Sequence, residues 1–179
     1  MAKTDKKLVK RLKLLIASIA PAIFLIGYNI GSGSVTAAAS AGANVVSIDN
    51  YSSITFDDIM APFYTNISNI RDLGLINKIR LIEGNTKNYE NYELKSDILF
   101  IDGDHSYEGV KADYEHWIHT LKEGGSLLFH DSCKARENAT IREDVARFMK
   151  EIPYKLVKQV GSLSHFIKEV ENGKETKWI

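Results

Sequence analysis

Four short apolar runs in this chain each end on a polar cluster, and that repetition constrains the fold more than any other feature. Val45–Ile48 (VVSI) runs into Asp49, and Ile79–Ile82 runs into Gly84-Asn85-Thr86. Asp97–Ile101 (DILFI) runs into Asp102-Gly103-Asp104-His105, and Ser126–Phe129 (SLLF) into His130-Asp131. Short apolar runs without polar alternation are the pattern of strands buried on both faces, as in parallel sheets. Between them the spacing predicts helices over Asp57–Leu73, stopped at Gly74, and over Glu108–Leu121, closed by Glu123-Gly124-Gly125. A third helix is predicted over Thr140–Glu151, with Pro153 just beyond it. Lys155–Val160, the Gly161-Ser162 turn and Leu163–Lys168 read as a β-hairpin. The alternation predicts an α/β fold: a doubly wound, mostly parallel sheet with right-handed crossovers and a C-terminal antiparallel strand.

In such sheets ligands bind beyond the carboxyl ends of the strands, and the polar clusters all stand there. The 179 residues are enough for one domain with a real core. A single cysteine, Cys133, excludes a disulfide framework and a cysteine-based zinc site, and suits a cytoplasmic location. The formal net charge is zero, which argues against a nucleic-acid partner held by phosphate neutralisation.

The N-terminus departs from this average. Lys3, Lys6, Lys7, Lys10, Arg11 and Lys13 face one acid, Asp5, so residues 1–13 form a basic segment ahead of a single domain over 14–179. Leu14 to Gly27 (LLIASIAPAIFLIG) is almost wholly apolar and is interrupted by Pro21. Its 14 residues fall short of the roughly 20 that a spanning helix needs. A buried strand behind a basic leading helix, a membrane-associated segment over 14–30 and a cleaved signal are all open on this evidence, which leaves 14–43 uncertain.

Two crevices carry candidate chemistry. Gly27, Gly31 and Gly33 follow the apolar run and precede an Ala-rich stretch, a Gly-rich turn that lets backbone approach a ligand closely. Asp49, ending the next strand, is suited to accept from both hydroxyls of a ribose, which points to a nucleoside cofactor. A nicotinamide fingerprint would want a third glycine where Thr36 stands, and no phosphate-gripping P-loop motif occurs. In the second crevice Asp102, Asp104 and Asp131 offer hard oxygen ligands suited to Mg²⁺ or a similar cation. His105 and His130 stand beside them as candidate general bases. Asp104 has a second reading as a cap for the helix that follows. His116, His119 and His165 read as packing or surface residues, and Trp117 as a core anchor.

Residues 97–132, DILFIDGDHSYEGVKADYEHWIHTLKEGGSLLFHDS, resemble the central signature of class I S-adenosylmethionine-dependent methyltransferases. VVSIDNY at 45–51, RLIEGNT at 80–86 and the hairpin turn at 161–162 fall where that family places its other elements. The resemblance covers about residues 45–168 and implies a Rossmann-like sheet of seven strands with one reversed, binding S-adenosylmethionine. It implies that Asp49 holds the ribose, that Asn85 and Thr86 flank the adenine, and that Gly27, Gly31 and Asp102 complete the cofactor site. It further implies a divalent cation on Asp102 and Asp131, His105 as the base, and a small-molecule methyl acceptor. The family's first motif opens with an acid two residues before its first glycine, and Leu25 stands in that slot. Residues 10–43 separately resemble the first membrane segment of Nramp-type metal-ion transporters. That second likeness implies an alternative: a methyltransferase fold with impaired catalysis and a membrane-associated N-terminus.

Overall fold

The computed structural model describes residues 22–27, 38–49, 68, 70–88, 95–132 and 143–169. Seven strands form one sheet: β1 (Ala22–Gly27), β2 (Asn44–Asp49), β3 (Ile79–Glu83), β4 (Ser96–Asp102), β5 (Leu121–Phe129), β6 (Lys155–Val160) and β7 (Leu163–Ile167). Their order is β3-β2-β1-β4-β5-β7-β6. The first five strands run parallel, and β7 alone runs against its neighbours β5 and β6. The predicted doubly wound sheet with its closing antiparallel strand is what the chain builds.

The apolar run at the N-terminus supplies an interior strand. Ala22–Gly27 pairs with β2 on one side and β4 on the other, so this part of the 14–30 stretch is a sheet element. Residues 1–21 and 28–37 lie outside the described residues. Among the described residues no helix is long and apolar enough to cross a membrane.

Alternation along the inner strands divides the core between two faces. Ile98 and Phe100 pack with Val45, Ile79 and Leu128 on one face. Leu99 and Ile101 pack with Leu127, Phe129 and Trp117 on the other. That double burial is why these strands read as continuous apolar runs.

The helix α1 (Tyr107–Trp117) presents Val110, Asp113 and Trp117 inward, and Trp117 is fully buried as expected. Its start is fixed by Ser106, whose hydroxyl oxygen accepts from the Gly109 N–H at 3.1 Å. Its end differs from the sequence reading. The helix stops at Trp117, a 3₁₀ turn covers Ile118–Thr120, and β5 already begins at Leu121. Lys168 Nζ bonds the carbonyls of Ile118 and Leu121, and Lys95 Nζ that of His119, so cations satisfy the helix-end acceptors. Glu123-Gly124-Gly125 is a bulge within β5, not a helix stop: pairing jumps from Ser96↔Leu121 to Ile98↔Ser126, with Gly124 at φ 72°. In the expected Thr140–Glu151 helix, Glu143–Phe148 is helical (α2) and 149–151 are turn residues, while 140–142 lie outside the described residues. Of Asp57–Leu73 only residues 68 and 70–73 are described, and 68 and 70–72 are helical.

Candidate active site

The sheet order reverses between β1 and β4, and the register there aligns three strand ends. Gly27 is opposite Asp49 on one side and Asp102 on the other, with Glu83 opposite Asp49 beyond. A residue without a side chain thus separates two acids at the switch point, where open α/β sheets bind ligands. Asp49 is 1% exposed, and its carbonyl accepts from the Gly84 N–H at 3.0 Å. That bond ties the turn after β3 to the end of β2. Gly31 and Gly33 lie outside the described residues.

Asp102, His105, His130 and Asp131 converge as the sequence predicts. His130 Nδ1 lies 2.9 Å from Asp102 Oδ1, and its Nε2 lies 3.1 Å from Ser162 Oγ. His105 Nε2 is buried, makes no hydrogen bond, and sits 3.5 Å from Asp102 Oδ1 and 3.7 Å from Asp131 Oδ2. Burial raises the Asp102 carboxyl's pKa, but the two imidazoles beside it outweigh that effect and leave the carboxyl below its usual range. Asp131 has φ 46°, the left-handed region that a non-glycine residue enters only under constraint. Ser162 is the member of this cluster that sequence reasoning missed; it reaches His130 only because β7 returns beside β5.

Asp104 stands apart from these residues. Its Oδ1 accepts from the Ser106 N–H and its Oδ2 from the Ser106 hydroxyl, each at 2.9 Å. These bonds lower its pKa and hold in place Ser106, the residue that caps α1.

The turn after β3 forms the opposite wall. Asn85 Oδ1 accepts from the Lys87 N–H at 2.9 Å, which fixes the 3₁₀ turn Thr86–Asn88. The Thr86 hydroxyl donates to Asp113 Oδ1 at 2.8 Å. Asp113 is a second missed residue. Its signal was an acid inside the apolar stripe of α1, between Val110 and Trp117. His165 Nε2 pairs with Ser126 Oγ at 2.9 Å, away from these groups, in the packing role expected of it.

The profile of a methyltransferase domain family matches residues 26–132, more than half of the chain. The chain belongs to that family. The match starts within β1 and ends at Ser132, so it spans both walls of the crevice. The methyltransferase is similar in structure to cofactor-bound Rv0187 from MTB, with a TM-score of 0.70 at 18% identity over 94% of this chain and 83% of that one. It is also similar to the O-methyltransferase TomG from Streptomyces achromogenes in complex with SAM (TM-score 0.68, 13% identity, 94% and 82% covered). A third likeness is to an O-methyltransferase from Bacillus cereus in complex with SAH (TM-score 0.64, 18% identity, 93% and 83% covered). In sequence, 36 residues are 50% identical to the uncharacterized protein y4gI of Sinorhizobium fredii. That match spans 20% of the methyltransferase and 4% of the relative.

Proposed function

We propose that this methyltransferase moves a methyl group from S-adenosylmethionine to an oxygen of a small molecule or sugar, assisted by a divalent cation. The observation that carries the reading is the row Asp49–Gly27–Asp102 at the strand-order reversal. Asp49 would hold the ribose hydroxyls, and the bare Gly27 backbone lets the cofactor approach between the two acids. O-methyltransferases of similar structure hold SAM or SAH. A cytoplasmic location suits the single Cys133.

Asp102 and Asp131 are the pair that would hold the cation. Among the described residues no group of three or more His, Cys, Asp or Glu is arranged to cage an ion. Mg²⁺ asks for less: one or two carboxylates, with waters and substrate oxygens completing its shell. Two carboxylates within 4 Å of one buried, unbonded nitrogen fit that requirement. A bound cation supplies charge that favours the ionised acceptor oxygen. His105 then acts as the base. Its imidazole stands within 4 Å of both carboxylates, beside the place where the acceptor oxygen would lose its proton. His130, bonded by Asp102 and Ser162, holds the Asp102 carboxylate in place.

Calorimetric titration with S-adenosylhomocysteine, with and without Mg²⁺, tests the cofactor and cation parts. Absence of binding overturns the reading. His105→Ala should keep that affinity while slowing methylation roughly 10²–10⁴-fold, the range for a lost general base, read as methylated product across catechols and sugars. A second reading, cofactor binding without turnover, is favoured by Leu25. The register sets it opposite Ser47 and Phe100, in the slot where the family resemblance implies an acid. Tight S-adenosylhomocysteine binding with no product from any acceptor would select it.

A further inference from the structure

We propose that Ser162, His130 and Asp102 form a nucleophilic triad that gives this protein a second activity, hydrolysis of small carboxylic esters through an acyl intermediate on Ser162. His130 Nδ1 lies 2.9 Å from Asp102 Oδ1, and its Nε2 lies 3.1 Å from Ser162 Oγ. A carboxylate only accepts, so in the neutral ring Nδ1 carries the proton and Nε2 keeps its lone pair. The Ser162 hydroxyl then donates to Nε2. A general base needs this relation to the serine it activates, with a third group holding the base in the right tautomer. Such an arrangement is defined by geometry and roles, and it recurs on unrelated folds. Asp131 Oδ1 stands 3.5 Å from the same Nδ1 and favours the same tautomer.

Each member is held by the sheet. Asp102 ends β4. His130 directly follows β5; its N–H donates to the Ile101 carbonyl at 3.1 Å, and its ring packs against Phe100 with centroids 6.1 Å apart. Ser162 sits in the turn closed by the Val160↔Leu163 pair, with Gly161 at φ 67°. Its carbonyl accepts from the Ser132 N–H at 3.0 Å. Because β7 runs against β5 and pairs Ser164 with Phe129, this turn lies at the carboxyl end of β5, beside the crevice. Ser162 is partly exposed, so an ester can reach its hydroxyl. The His130 and Asp102 side chains are only 19% and 20% exposed, which shields the bond between them from water.

The chemistry balances within the triad and one water. Ser162 Oγ bonds to the acyl carbon as its proton passes to Nε2, and that proton leaves with the alcohol when the ester C–O bond breaks. Nε2 next takes a proton from the water that attacks the acyl carbon. It returns this proton to Oγ as the carboxylic acid leaves. Neither cofactor nor cation takes part, so this activity stands or falls apart from the methyl-transfer reading.

Covalent capture tests the nucleophile itself and needs no fitted acyl pocket. The full chain is incubated with an alkyl fluorophosphonate in the presence of EDTA: Oγ attacks phosphorus, fluoride leaves, and a stable adduct remains. Intact-mass and peptide mass spectrometry should find a single adduct, on Ser162. His130→Gln removes the base, and Asp102→Asn favours the other tautomer. Each variant, shown to be folded by thermal melts, should slow capture roughly 10²–10⁴-fold. Hydrolysis of p-nitrophenyl acetate should persist in EDTA and fall to background in Ser162→Ala. A wild-type chain without an adduct on Ser162 overturns the proposal, with no variant needed. Capture at an unchanged rate in folded His130→Gln overturns it too, as does hydrolysis that survives in Ser162→Ala. Hydrolysis that EDTA abolishes would belong to a metal-bound water and also overturns it. S-adenosylhomocysteine binding is untouched by any of these outcomes and tests the cofactor reading separately.

Discussion

Asp49 carries the largest single share of the cofactor reading, because it is a buried acid at the strand-order reversal, opposite Gly27. Asp49→Ala should weaken S-adenosylhomocysteine binding by about 1.5–3 kcal/mol, the usual cost of lost bonds to a charged group, as read by calorimetry. An unchanged affinity would remove Asp49 from the site. Asp113 gives a pH prediction at the same scale. Burial, the largest effect, pushes its carboxyl up, while the Thr86 bond and Lys87 pull it down, Asp104 pushes it up and His116 pulls it down. A carboxyl whose pKa is raised on folding favours the folded state most below its ordinary pKa of 3.8, and that contribution is lost as pH rises through the raised value. Asp113→Asn does not titrate. Its melting temperature relative to wild type should therefore climb as pH rises from 3.8 through the raised value, by roughly 2–4 °C for each kcal/mol. A gap that is flat with pH, measured by calorimetric melts, would show that the carboxyl is not perturbed.

At the scale of elements, the β6–β7 hairpin does more than close the sheet. Its turn delivers Ser162 to His130, and a chain of hydroxyls latches it. The Ser132 hydroxyl lies 2.7 Å from Ser164 Oγ, the Ser132 N–H donates to the Ser162 carbonyl at 3.0 Å, and Gln159 Nε2 donates to Ser164 at 2.9 Å. Ser164 is fully buried. Ser164→Ala strips a partner from both Ser132 and Gln159, and should cost about 1–3 kcal/mol in urea denaturation. A cost near zero would mean that water replaces the lost hydroxyl. The hairpin was legible in the sequence because Gly161-Ser162 separates two short strand runs. The end of α1 was not. Glu123-Gly124-Gly125 looks like a helix stop, but β5 absorbs it as a bulge because Leu121 is drawn into register with Ser96 and buried. A bulge depends on the partner strand, and local propensity does not contain it.

For the whole molecule, β1 decides whether there is a sheet at all. It lies between β2 and β4, and its loss would leave both without a partner on that side. Removing residues 1–12 should leave a monodisperse protein with an unchanged far-UV spectrum. Removing residues 1–35 should give aggregation, followed by size-exclusion chromatography. A well-behaved long truncation, together with a full-length chain that fractionates with membranes, would instead support the transporter-like reading of the N-terminus. The sequence by itself determined the class of fold, the strand cores, and the positions of Asp49, Asp102, His105 and Asp131, because burial on both faces and polar strand ends leave a local signature. Only the tertiary structure decided that Asp104 turns to bond Ser106 while Asp102 and Asp131 converge on His105. The three acids look alike in sequence, and what separates them is where each carboxylate finds its donor. The same holds for Ser162 with His130 and for Asp113 with Thr86. Each pair is more than 25 residues apart, and it is the sheet order, not any local pattern, that brings such groups within a hydrogen bond.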